Sequence, residues 1–117
     1  MAIQNYPDHI ILVELPSEPQ IRQELDKVIE IVRQKADYDV VIDFSSVDIM
    51  NSLTLSGFLQ LRKFLADSGH RLIFCNIAPI TKDIFRVTCF DGIFEFVDDK
   101  SDALASLQPV KGYEPTG

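Results

Sequence analysis

The stretch NSLTLSGF, residues 51–58, sets two hydroxyls, Ser52 and Ser56, four positions apart behind Asn51. A serine does covalent chemistry either as a nucleophile or as an acceptor of a phosphoryl group. The first role needs a base and an orienting acid brought to its hydroxyl. The chain has two histidines, His9 and His70, and neither lies in a G-x-S-x-G elbow or any other recognisable nucleophile motif. The second role needs only an accessible hydroxyl and surroundings that tolerate a dianion. The first turn of a helix meets that need, because its free N–H groups and the positive end of its dipole favour a phosphate. Asn51 and Ser52 also suit plain helix capping, with the Asn51 side chain accepting a first-turn amide. Residue physics alone leaves both readings open.

Other chemistry-bearing residues form weaker sets. Cys75 and Cys89 do not have metal-ligand spacing, and two cysteines make no disulfide framework. Cys75 lies in an apolar run and reads as a small core hydrophobe. The acidic pairs Asp37/Asp39 and Asp98/Asp99 read as solvated ends of elements, and no glycine-rich phosphate loop or EF-hand loop is present. Phe85, Phe90, Phe94 and Phe96 read as core packing rather than a ligand pocket. Lys82 and Arg86 share one side of a predicted helix and are candidates for the border of an interaction surface. No enzymatic activity, metal or organic cofactor is expected.

The elements that position Ser52 follow from the hydrophobic pattern. IQNYP is a short edge strand, followed by a strand over 9–15 and DVVIDF over 39–44, whose continuous apolar character fits burial on both faces. RLIFC after Gly69 and IFEFV supply a third and a fourth central strand. Between them, Ser17 with Gln20 has capping-box spacing and opens a helix whose core face is Ile21, Leu25, Val28, Ile29, Val32 and Ala36. A second helix runs over 52–68. A shorter one over APITKDIFRVTCF is expected to turn Ile80, Ile84 and Val87 inward, and KSDALASL forms the last. Strands alternating with helices predict an α/β fold with a mixed, mainly parallel sheet of four to five strands flanked by about four helices.

On the second helix, Ser52, Ser56, Gln60, Lys63 and Asp67 fall on one polar stripe. Leu55, Phe58, Leu59, Leu61 and Leu65 form the apolar arc, Thr54 lies near its centre, and Leu53 and Phe64 share a margin. Ser52 is thereby predicted to face solvent or a partner.

The whole chain sets outer bounds. At 117 residues it is one domain, expected over 1–108, with 109–117 too poor in apolar residues to order itself. Eleven basic against eighteen acidic residues give a net charge of −7, which disfavours direct nucleic-acid binding. The longest apolar runs have strand length, so membrane insertion is not expected, and the amino terminus lacks secretory-signal character. A cytoplasmic location is the natural reading.

The run from VVIDFSSVDIMNSLTLSGF to IFEFVDD resembles a STAS domain, the module of bacterial anti-sigma-factor antagonists. The shared pattern is a buried strand ending in Asp (here Asp43), a short loop carrying Val47-Asp48, and a helix opening at Asn51-Ser52-Leu53. A strand after Gly69 and the segment NIAPITKDIFRVT complete it. The resemblance covers about residues 9–107 and implies a single STAS-like domain acting in bacterial signalling and transcription regulation through protein–protein interaction. It makes Ser52 the phosphoacceptor, and it implies partner switching on a serine-kinase anti-sigma factor, with Asp48, Met50, Asn51, Leu53, Ser56 and Gln60 as the partner-binding surface. Three positions depart from the family pattern: Asn51 for Asp, Thr54 for Gly, and Cys89-Phe90 for Gly-Leu. The Asn51 and Thr54 departures favour an alternative, a phosphorylation-independent docking subunit of a transporter or larger signalling assembly.

Overall fold

The computed structural model describes residues 3–6, 9–17, 20–35, 37–47, 52–87 and 92–107. Five strands, β1 (Ile3–Tyr6), β2 (Ile10–Glu14), β3 (Asp39–Asp43), β4 (Leu72–Cys75) and β5 (Glu95–Val97), form one sheet in sequence order. β1 pairs antiparallel with β2, and β2 to β5 are parallel. The helices are α1 (Ile21–Gln34), α2 (Ser52–Asp67), α3 (Pro79–Val87) and α4 (Lys100–Leu107).

Alternation along the strands divides the core. Ile11, Val13, Val40, Ile42, Leu72 and Phe74 pack with α1, α2 and Phe85 of α3. Ile10, Leu12, Val41, Ile73 and Cys75 pack with Ala103, Leu104 and Leu107 of α4. Both faces of the central strands are covered, which is why their sequences are apolar without a break. α1 buries Ile21, Leu25, Val28, Ile29 and Val32, as its 3.6-residue period requires. It meets α2 closely at Gly57, where a Cβ would lie 2.6 Å from Leu25 Cδ2. α2 stops at Gly69, whose φ of +80° favours glycine, with the His70 amide donating to the Leu65 carbonyl.

Three expectations need correction. The helix expected to open at Ser17 is regular only from Ile21, and Gln20 precedes it without a side-chain cap. Ser17 contributes through its carbonyl, which accepts from the Ile21 amide at 3.1 Å. On α3, Ile80 and Val87 are 73% and 78% exposed, and Ile84 is half-buried, whereas Thr81 and Phe85 are buried. Phe85 sits within 6.4 Å, ring centre to ring centre, of Phe44, Phe58, Phe74, Phe94 and Phe96. Phe85 packs into a cluster of five other aromatic rings, and that packing sets the helix phase. Finally, IFEFV is not a central strand. β5 has three residues and lies at the sheet edge, anchored by Phe94 stacked on Phe74 at 4.8 Å. Ala36, Cys89, Phe90 and the tail from residue 108 onward lie outside the described residues.

Candidate functional site

β3 ends in Asp43, a carboxylate only 4% exposed. Its Oδ1 accepts from the Ser45 amide at 2.9 Å and from the Asn76 side-chain amide at 3.1 Å. Asn76 takes the left-handed conformation that asparagine tolerates, with φ at 55°, and its own amide donates to the Asp98 carbonyl. The Val47 amide donates to the Phe44 carbonyl, and the Phe44 amide to the Cys75 carbonyl. These bonds pin the chain leaving β3 to the ends of β4 and β5. They fix the departure point of the segment that leads to α2. The sequence offered one signal for this, the Asp closing a buried strand. The partnership with Asn76, thirty-three residues on, could not be read without the fold.

The segment opens α2 at Ser52, as expected. Thr54 is 1% exposed and Leu55, Phe58, Leu61 and Leu65 are buried, while Ser56, Gln60, Lys63 and Asp67 are exposed and Leu59 and Phe64 half-buried. The predicted division of α2 into a polar stripe and an apolar arc holds at each of these positions. Thr54, which stands where the family pattern has Gly, turns its bulk into the core. Asp48, Met50 and Asn51 lie outside the described residues, and Ser52 and Leu53 are placed by their backbone alone.

The histidines lie at the other end of the sheet. His9 Nδ1 is 3.2 Å from Asp37, and His70 Nδ1 is 3.1 Å from Asp39 Oδ1, which also accepts from the Arg71 amide at 2.9 Å. His70 Nε2 reaches within 3.8 Å of Asp37. Asp37 and Asp39 are therefore not merely solvated element ends: they tie the turns before β2, β3 and β4. α2, with 16 residues, spans about 24 Å between Ser52 and this cluster. Neither histidine can serve Ser52 as a base. Cys75 is buried, and burial, reinforced by Asp43 and Asp99 and opposed by Lys100, pushes its thiol up to about 12. It stays protonated near neutrality and packs as a small apolar side chain. No group of three or more His, Cys, Asp or Glu side chains among the described residues has the geometry to hold a metal ion. No helix among them is long and apolar enough to cross a membrane.

The sequence matches the STAS domain family over residues 15–103. No curated protein matches it significantly. Among solved structures, the fold is similar to that of an anti-sigma-factor antagonist (STAS) domain protein from Planctomyces limnophilus, with a TM-score of 0.78 at 15% identity, covering 90% of this chain and 95% of that one. It is also similar to the Bacillus cell fate determinant SpoIIAA in its phosphorylated form, with a TM-score of 0.72 at 16% identity over 91% and 97% of the two chains. A serine-to-glutamate variant of RsbS from Moorella thermoacetica gives 0.76 at 14% identity over 90% and 92%. The described architecture and the family match over most of the chain agree: this protein belongs to the STAS domain family and has the fold of the anti-sigma-factor antagonists.

Proposed function

We propose that this protein is a partner-switching interaction module. In its unmodified form it binds a serine-kinase anti-sigma factor, and phosphorylation of Ser52 releases that partner. The observation that carries the reading is the position of Ser52 as the first residue of a 16-residue helix, four and eight positions before the exposed Ser56 and Gln60. The helix dipole favours a phosphate there at low intrinsic cost. The modification brings about −1.5 to −2 charge into a surface fitted around a neutral hydroxyl. A loss of about 3 kcal/mol on the complex would weaken it roughly a hundredfold. The solved relatives support the comparison, since SpoIIAA is known in both unphosphorylated and phosphorylated forms. Asp48, Met50, Asn51 and Leu53 would form the apolar and polar margin of the contact, and Ser56 and Gln60 its continuation along the helix.

Mass spectrometry after incubation with the partner kinase and ATP tests the acceptor. Phosphate is expected on the peptide containing Ser52 and absent from the Ser52→Ala protein. Phosphate on Ser56 would keep the surface and move the acceptor by one helical turn. Phosphate on neither would make the domain a constitutive docking subunit.

A further inference from the structure

We infer that the open edge of β5 is a docking site for an extended, basic peptide segment of a partner protein, which adds to the sheet as a sixth strand. Backbone geometry shows which groups are offered. The Phe44 amide bonds to the Cys75 carbonyl, so the main chain of Cys75 faces β3, and alternation turns that of Phe74 toward β5. Phe74 is registered on Phe96, and therefore bonds to the flanking Glu95 and Val97. The N–H and C=O of Phe96 point away from the sheet, at an edge that pairs with no other strand among the described residues.

Side-chain space lies on both sides of that edge. Toward α3 there is a cleft of about 240 Å³ lined by Ile77, Pro79, Lys82, Asp83, Arg86 and Phe96, with Val97 and Asp98 at the strand. Toward α4 there is a second, wider cleft lined by Phe96, Val97, Asp98, Asp102, Ala105 and Ser106. An added strand points successive side chains alternately into the two. The charges differ between them. Asp98 borders both, Asp102 lines the α4 cleft alone, and no cation is among the described residues lining that cleft, although Arg71 reaches the Ser106 carbonyl at its border. On the α3 side Arg86 is paired with Asp83 at 2.9 Å, and Lys82 lies over the Phe96 ring at 5.0 Å beside Ile77 and Pro79. Glu95 is held by Arg71 at 2.6 Å, which also donates to the Ser106 carbonyl, and these bonds tie the edge strand to α4. The occupant that fits presents Lys or Arg to the α4 cleft and apolar side chains to the α3 cleft, in strict alternation. A second copy of the chain does not fit. Pairing two copies would bring two molecules of net charge −7 together at an edge bordered by Asp98 and Asp102.

The test uses the full chain and two capped hexapeptides of one composition, Lys-Val-Lys-Val-Lys-Val and Lys-Lys-Lys-Val-Val-Val, followed by amide-resolved NMR and hydrogen exchange. The alternating peptide should bind saturably, at least about fivefold tighter than the block peptide, and slow exchange of the Phe96 amide. The double variant Asp98→Lys, Asp102→Lys should lose that preference, while Asp67→Lys, at the far end of α2, should keep it. Equal binding of both peptides would overturn the inference, as would saturable binding that leaves the Phe96 amide unprotected. A concentration-dependent dimer that itself protects Phe96 and excludes the peptide would also overturn it, in favour of the second copy.

Discussion

Asp43 and Cys75 are neighbours across the β3–β4 ladder, and they do opposite work. The carboxylate organises polar groups at the strand ends, while the thiol is driven by burial to remain neutral. The neutral thiol has a consequence for stability. Its folded pKa of about 12 lies above the value of 9.0 of a free thiol, so between these limits the folded state keeps a proton that the unfolded state has lost. The stabilisation is fully present below the unfolded value and declines as pH rises through this window. Urea midpoints measured from about pH 8 to about pH 10.5 should fall more steeply for the wild type than for Cys75→Ala. Parallel curves would mean that Cys75 is solvated. The apolar character of Cys75 was legible in the sequence, because the run LIFC leaves it no polar company. The role of Asn76 was not, since a left-handed Asn after a strand has meaning only once Asp43 is opposite it. The pairing of His9 and His70 with Asp37 and Asp39 was hidden for the same reason: three separate turns converge there.

At the scale of elements, long periodic segments were the most readable. The core face of α1 and the two-sided character of α2 follow from the spacing of Leu, Ile and Val, and the structure places those side chains as the period demands. The short elements were decided by packing instead. On α3 the aliphatic spacing of Ile80, Ile84 and Val87 competed with a single aromatic, and the six-ring cluster around Phe85 prevailed. β5 is equally apolar in sequence, yet its place as the last strand in a sequential order puts it at the edge. A pair of substitutions checks the α3 phase. Phe85→Ala should cost about 3–5 kcal/mol, the range for emptying an aromatic core site. Ile80→Ser should stay within about 0.5 kcal/mol of wild type, as for an exposed position. Denaturant unfolding reads both, and the reverse ranking would restore the aliphatic face as the buried one.

For the whole molecule, a mainly parallel sheet covered on both faces sets Ser52 at the start of the helix that follows β3, where the proposed modification would fall. Charge, fold class and family were all accessible from sequence, because they rest on composition and on an ordered series of motifs over most of the chain. The partner was not, since an interface is a property of two surfaces. The proposed switch requires that charge at Ser52 control binding. Titration calorimetry of the proposed anti-sigma partner against wild type, Ser52→Ala and Ser52→Asp measures this directly. Ser52→Ala should bind nearly as wild type and Ser52→Asp at least about tenfold more weakly, a difference of roughly 1.4 kcal/mol, with thermal transitions unchanged. Equal affinity of Ser52→Asp and wild type, with both proteins fully folded, would contradict it.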